Sequence, residues 1–116
     1  MSDVLDAIAA VVAERRDADP ETSYVASLNV KGINKILKKV GEEAIEVVLA
    51  AKNADSSMGD AADVINEVAD LVFHILVMLD RLGISHNDVI AALAARQGVP
   101  GLEEKASRNA DRGIKA

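Results

Sequence analysis

The feature that most constrains the fold is a pair of long helical patterns that each carry an acidic cluster. The first pattern runs from about Ile33 to Asn53, and the second runs from about Asp60 to Leu82. Glu42-Glu43-x-x-Glu46 lies in the first, and Glu67-x-x-Asp70 lies in the second. A carboxylate on an apolar helix is costly unless a cation or hydrogen bonds compensate its charge. We therefore expect the two acidic clusters to face each other.

Helical phase supports this arrangement. At about 100° per residue, the first helix has an apolar stripe with Glu43 at its edge; the stripe consists of Ile36, Val40, Ala44, Val47 and Ala51. The second helix places its polar groups on one narrow line, formed by Asp63, Glu67, Asp70, His74 and Arg81. Nearly every other residue from 68 to 79 is apolar, which is typical of a buried helix.

The remaining chain also reads as helices joined by polar segments. We predict a helix over 3–16, a loop over 17–22, a short helix over 23–29 capped by Ser23, a break near Gly32 and a helix over about 86–97. The tail, 102–116, mixes charges and is expected to be either peripheral or disordered. The sequence predicts one all-α domain over residues 1–116, a small helical bundle of four to five helices.

Charge and composition exclude several classes of function. The net charge of -6 argues against nucleic-acid binding through bulk electrostatics. The longest apolar run, Leu71 to Leu79, is too short to span a bilayer, so no membrane partner is expected. The chain has no cysteine, and its N-terminus lacks the pattern of a signal peptide. We expect a cytoplasmic protein.

The carboxylates themselves suggest a divalent-metal site. Acidic side chains one turn apart on two antiparallel helices can converge on one or two Mg²⁺ or Mn²⁺ ions, which prefer oxygen ligands. Such ions can activate water against a phosphoanhydride. An alternative is a solvated acidic face paired with Lys38 and Lys39. A ferritin-like di-iron site would need Glu-x-x-His, whereas Asp70 stands three residues after Glu67.

Two further sets of polar residues leave alternatives open. His74 is either a satisfied core histidine or a residue that hydrogen-bonds Asp70 or Glu67 and so orients the metal ligands. A basic run precedes the first acidic cluster and consists of Lys31, Lys35, Lys38 and Lys39. This run is either a solvated helix face or a set of phosphate-binding groups.

Four stretches carry a family resemblance: SYVASL at 23–28, KGINKILKKVGEEAIEVVLAAK at 31–52, NEVADLVFHILVML at 66–79 and GLEEKASR at 101–108. Together they cover most of the chain. The sequence resembles the all-α NTP pyrophosphohydrolases of the MazG type. Within that group it is most similar to the phosphoribosyl-ATP pyrophosphatases of histidine biosynthesis.

The resemblance implies a Mg²⁺-dependent hydrolysis of 1-(5-phosphoribosyl)-ATP to 1-(5-phosphoribosyl)-AMP and pyrophosphate. It also implies a homodimer with its active site near the subunit interface. By the matching motif, the metal ligands would be Glu43, Glu46, Glu67 and Asp70. Glu42 and Glu43 would be catalytic, with Glu42 an extra ligand or a group that orients the attacking water. The phosphates would be approached by Lys31, Lys35, Lys38, Lys39, Lys105 and Arg108.

Two positions depart from the family pattern, since Phe73 stands where tyrosine is usual and Asn34 where aspartate is frequent. Some enzymes of this pathway are fused to a zinc cyclohydrolase that needs cysteines, so the resemblance points to the stand-alone pyrophosphatase. Two alternatives remain. One is a house-cleaning pyrophosphatase for noncanonical nucleoside triphosphates, and the other is a helical dimerisation module without activity.

Overall fold

Five α-helices make up the computed structural model, which describes residues 2–97. They are α1 (Ser2–Arg15), α2 (Tyr24–Lys31), α3 (Ile33–Asp55), α4 (Ala61–Leu82) and α5 (His86–Ala94). No strand occurs among the described residues, so the all-α prediction is confirmed. The predicted tail, 102–116, lies outside the described residues.

The helix ends follow from local chemistry. The Ser23 hydroxyl accepts a hydrogen bond from the Ala26 amide at 3.2 Å, so the predicted cap of α2 is confirmed. Asp60 and Asp63 form a reciprocal capping box at the start of α4. Gly83 ends α4 in the left-handed conformation with φ 71°, which glycine adopts without a steric penalty.

Gly32 separates α2 from α3. Its φ of 100° and ψ of 176° lie outside the regions open to most side chains. The backbone therefore changes direction at this residue, and its amide still bonds to the Leu28 carbonyl at 3.1 Å. The predicted break near Gly32 is confirmed, and α2 and α3 pack against each other rather than forming one long helix.

The chain divides into two compact units between His86 and Asn87. Within the first unit, the core is built from one or two apolar side chains of each of the first four helices: Val12, Val25, Leu28, Ile36 and Val77. In the second unit, the described residues contain most of α5. The single domain over 1–116 stays a prediction.

Among residues 2–97, the two long helices α3 and α4 form the most extensive contact between helices. Their connection, residues 56–60, is short, so they pack antiparallel. The resulting register sets Glu46 opposite Glu67, since both belong to the same carboxylate group. This pair of helices therefore positions both acidic clusters.

The burial of α4 is less complete than its sequence predicts. Residues His74, Leu76, Val77 and Leu79 are buried, but Val68 is 40% exposed and Ile65 is 66% exposed. Among the described residues, the packing partners α1 and α3 cover the second half of α4 better than its first half. Within residues 2–97, no helix combines the length and the apolar character needed to cross a membrane.

Candidate metal-binding active site

Three carboxylates from the two long helices converge in the structure. Glu43 and Glu46 project from α3 and Glu67 from α4, and each contributes one oxygen to a group whose members lie within 4.8 Å of one another. Glu43 and Glu46 are three residues apart, so they share one helix face. The antiparallel register brings Glu67 to that face. The sequence predicted all three as ligands, and the structure brings them together.

The three carboxylates differ in burial, since Glu43 is buried, Glu67 is half-buried and Glu46 is exposed. Glu43 is buried, with 7% of its surface exposed. One oxygen of Glu43 and one of Glu67, both Oε2, are buried without a hydrogen-bond partner among the described residues. Buried carboxylate oxygens without a partner are strongly unfavourable. A divalent cation bound among these carboxylates would supply the missing partner.

The charges of the group perturb one another. Glu67 shares a hydrogen bond with Glu46, and this bond is the main reason that the pKa of Glu67 is raised. Partial desolvation raises it further, followed by repulsion from Glu46, Asp70 and Glu43. Two carboxylates can hydrogen-bond only if one holds a proton. A cation bound at these oxygens would oppose this rise, because it favours the ionised carboxylate.

The donor set fits a hard divalent cation. All three residues supply carboxylate oxygens, which Mg²⁺ and Mn²⁺ prefer, and the group contains neither a thiolate nor an imidazole. His74, the histidine nearest to this cluster along α4, is hydrogen-bonded elsewhere. This composition does not match the Glu-x-x-His pattern of di-iron bundles.

A lysine accounts for part of the acidic charge. The Lys39 ammonium lies 3.5 Å from Oε1 of Glu43, four residues along the same helix. Burial lowers the pKa of Lys39, but Tyr24, the bond to Glu43 and the charges of Glu42 and Glu43 together raise it above its ordinary value. The alternative interpretation, an acidic face paired with lysines, therefore accounts for Oε1 of Glu43. It leaves the Oε2 atoms unexplained.

The other predicted site residues lie around the group rather than in it. Glu42 and Asp70 are exposed and do not belong to the group of three. Asp70 is close enough to raise the pKa of Glu67 through repulsion. Lys31 and Lys38 are exposed, and Lys35 is half-buried. Lys105 and Arg108 lie outside the described residues, so their roles stay predictions.

His74 has two hydrogen-bond partners. Its Nδ1 lies 2.7 Å from the main-chain carbonyl of Asp70, and its Nε2 lies 2.8 Å from the hydroxyl of Tyr24. A carbonyl oxygen only accepts, so Nδ1 carries the proton and donates it. In neutral His74, the Tyr24 hydroxyl then donates to Nε2. His74 thus bonds the main chain of Asp70 and not its carboxylate, so its role in orienting a metal ligand stays a prediction.

Tyr24 is the residue that the sequence interpretation missed. It lies 50 positions from His74 along the chain, and no periodic pattern links two residues so far apart. Burial is the main cause that raises the pKa of Tyr24; Lys39 lowers it, and Glu43, Glu42 and Asp70 raise it. The phenol therefore lies within electrostatic reach of the acidic site. Its position in the stretch SYVASL was the signal available in the sequence.

An open cleft adjoins the carboxylates on the side of the α3–α4 connection. Glu46 and Glu67 form one end of it, and Asn53 and Asp63 form part of the other. Its volume is about 350 Å³, within the usual range for small-molecule sites. The carboxylate group thus faces a space that a ligand can enter.

A family model described as phosphoribosyl-ATP pyrophosphohydrolase matches residues 5–97. The match spans most of the chain and includes α2, α3 and α4 in full, with all of the carboxylates described above.

Proposed function

The chain belongs to the phosphoribosyl-ATP pyrophosphohydrolase family, and we propose that this hydrolase of histidine biosynthesis uses divalent metal ions held by Glu43, Glu46 and Glu67. The reaction consumes water and 1-(5-phosphoribosyl)-ATP and yields 1-(5-phosphoribosyl)-AMP and pyrophosphate. The bond that breaks joins the α and β phosphates. Mg²⁺ is the expected ion, and Mn²⁺ is a suitable substitute.

The observation that carries the proposal is the pair of buried Oε2 atoms on Glu43 and Glu67. A helix pair that served packing alone would gain stability from apolar residues at these positions. Retaining carboxylates there is reasonable if a cation binds between them. When bound, Mg²⁺ polarises phosphoryl oxygens and lowers the pKa of coordinated water.

The protein's own residues have distinct roles in this proposal. Glu43, Glu46 and Glu67 hold the cation, and Asp70, one turn beyond Glu67, completes the acidic site from its exposed position. Glu42 orients the attacking water or adds a ligand. Because proton transfer to a carboxylate requires hydrogen-bond reach, this role needs Glu42 to face the bound substrate.

Cationic side chains would meet the phosphates. Lys39 is held beside Glu43, so its ammonium is available to a phosphate that approaches the carboxylate group. Lys31, Lys35 and Lys38 precede it on α2 and α3 and extend the positive charge away from the carboxylates. We assign Lys105 and Arg108 to the same role.

A second copy of the chain would cover the apolar surface beside the site. Ile45 and Val48 of α3 are 62% and 64% exposed, and Ile65 of α4 is 66% exposed. On each helix these residues continue at helical spacing, to Leu49 and Val68 respectively. Exposed apolar stripes of this kind mark association surfaces. We propose a homodimer that completes the bundle, in the cytoplasm.

Sedimentation tests the dimer. The wild type should sediment as a dimer, whereas Val48→Glu should yield monomers with little activity, because the charge falls on the proposed interface. Val4→Glu, at a position that is 68% exposed on α1, is the matched control. A wild type that is folded and fully active as a monomer would overturn this part of the proposal.

Pyrophosphate release tests the function. The purified chain is incubated with phosphoribosyl-ATP and Mg²⁺, with and without EDTA, beside Glu67→Gln and the control Glu14→Gln, an exposed residue of α1. Wild type and Glu14→Gln should release pyrophosphate only with Mg²⁺, and Glu67→Gln should lose at least about a hundredfold in kcat. Faster hydrolysis of noncanonical nucleoside triphosphates would instead favour the house-cleaning alternative.

A further inference from the structure

The few aromatic rings of this chain are gathered at one place. The chain has one tyrosine, one phenylalanine and no tryptophan. Tyr24 and Phe73 stack with ring centroids 6.4 Å apart and an interplanar angle of 21°. His74 meets both rings edge-on, at 5.6 Å from Tyr24 and 5.4 Å from Phe73. The cluster joins α2 to α4.

Within this aromatic cluster, the Tyr24 ring is fixed but accessible. Phe73 lies against it, His74 packs at its edge, and the hydroxyl is bonded to Nε2 of His74. Tyr24 is nevertheless 48% exposed among the described residues. A fixed aromatic ring that is partly accessible can bind planar groups at a low cost in conformational entropy.

The ring also lies at a suitable distance from the carboxylates. His74 follows Glu67 by seven residues, so the two Cα atoms are separated by about 10 Å along α4. Lys39 is bonded to Glu43 at 3.5 Å, and its charge also acts on the Tyr24 hydroxyl, so Lys39 neighbours both the carboxylate group and the aromatic cluster. Tyr24 does not line the open cleft beside Glu46 and Glu67, so a nucleotide whose phosphates meet the carboxylates reaches Tyr24 only if its base extends away from that cleft, past Lys39.

We propose that the exposed face of Tyr24 stacks on the adenine ring of the nucleotide substrate, which makes Tyr24 a specificity-determining residue. This inference rests on the proposed function. In phosphoribosyl-ATP, N1 of adenine carries the second ribose, so the edge of the base that usually forms hydrogen bonds is blocked. Both faces of the ring remain free, so stacking is a mode of recognition that the substitution does not affect.

Variants at Tyr24 separate stacking from a structural role. Tyr24→Leu should raise KM for phosphoribosyl-ATP roughly tenfold to a hundredfold, the range expected for one base–aromatic contact. Its kcat and its inhibition by inorganic tripolyphosphate should change less than about threefold. Tyr24→Phe keeps the ring, so its KM should stay close to that of the wild type.

Two results with these variants would contradict the proposal. One is an unchanged KM in Tyr24→Leu. The other is an equal loss of affinity for phosphoribosyl-ATP and for tripolyphosphate, because tripolyphosphate has no base. If Tyr24→Leu does not fold, the tyrosine fluorescence of the wild-type protein tests the stacking proposal without a variant.

Tyrosine fluorescence reports on this ring directly, since Tyr24 is the sole tyrosine and no tryptophan interferes. The probe is phosphoribosyl-AMP, the proposed product, at concentrations that inhibit turnover in the presence of Mg²⁺. Stacking should shorten the lifetime of Tyr24 emission, and pyrophosphate alone should leave it unchanged. An unchanged lifetime with phosphoribosyl-AMP would overturn the inference.

The experiments distinguish a failure of the stacking proposal from a failure of the proposed function. Pyrophosphate release by the wild type tests the proposed function without reference to Tyr24. If the wild type is active but neither the lifetime nor the KM of Tyr24→Leu responds, stacking is wrong and the function stands. If the wild type is inactive on phosphoribosyl-ATP, the proposed function fails.

Discussion

Replacing Glu43 with glutamine should stabilise the metal-free protein while removing its response to Mg²⁺. Glu43 is the buried member of the carboxylate group, with its two acidic neighbours within 4.8 Å and one compensating cation, Lys39, at 3.5 Å. Glutamine keeps the shape of the side chain and removes its charge. The substitution therefore tests the electrostatics of the site and not its packing.

The size of the expected change in the free energy of unfolding follows from these distances. With an effective dielectric constant of about 20, a unit charge at 4.8 Å, the outer limit of these separations, repels Glu43 by about 3.5 kcal/mol, and Lys39 at 3.5 Å attracts it by about 4.7 kcal/mol. Two repulsions exceed the single attraction by about 2 kcal/mol, and solvent screening at the exposed Glu46 reduces this difference. Glu43→Gln should raise the free energy of unfolding by about 1 kcal/mol, or Tm by about 4–8 °C.

The assay is thermal unfolding at one protein concentration, followed by circular dichroism in EDTA and again in Mg²⁺. In EDTA, Glu43→Gln should melt above the wild type. In Mg²⁺, the wild type should gain stability because the ion binds the folded state, and Glu43→Gln should gain little. The control Glu14→Gln should behave as the wild type does in both buffers.

Two outcomes would refute this reasoning. A metal-free Glu43→Gln protein that melts well below the wild type would show that the carboxylate is stabilised by partners within the chain. A Mg²⁺ response equal to that of the wild type would show that Glu43 does not bind the ion.

Two further predictions concern the neighbouring acidic residues. Asp70→Asn should keep the helical circular dichroism spectrum and the stability of the metal-free protein. It should lower the Mg²⁺-dependent kcat, measured by pyrophosphate release, by at least about a hundredfold. Near-normal turnover would show that Asp70 does not belong to the active site. The pKa of Glu67 is raised in the folded state, so the folded protein binds this proton more tightly than the unfolded chain. In EDTA, the free energy of unfolding, measured with denaturant, should therefore fall as pH rises from the ordinary pKa of glutamate through the raised pKa of Glu67. Glu67→Gln should reduce this fall. A pH profile that is unchanged in Glu67→Gln would contradict the assignment.

The helices were predictable because their signals are local. Ser23, Asp60 and Gly83 act on the backbone within a few residues, and each lies where the chain starts or stops a helix. The convergence of Glu43 with Glu67 was predictable for a related reason, since two long amphipathic helices with a short connection pack antiparallel. Periodicity then determines which side chains face each other.

The remaining features depend on contacts between distant residues. The bond between Tyr24 and His74 joins α2 to α4, and nothing in the spacing of either helix fixes it. The exposure of Val68 shows a second limit of prediction from sequence. An apolar pattern predicts that a helix face is buried, but it does not predict whether the same chain or another molecule covers that face. Asp70 shares the phase of Glu67 on α4, but it remains exposed outside the group of three.

Hydrolysis of phosphoribosyl-ATP in ¹⁸O-labelled water tests the central claim most directly. Products are separated after a single turnover and weighed by mass spectrometry. A metal-dependent pyrophosphohydrolase that cleaves between the α and β phosphates should release pyrophosphate as the first product, with one ¹⁸O atom in either pyrophosphate or phosphoribosyl-AMP but not in both. Orthophosphate as the first product, together with phosphoribosyl-ADP, would contradict the function assigned to this site.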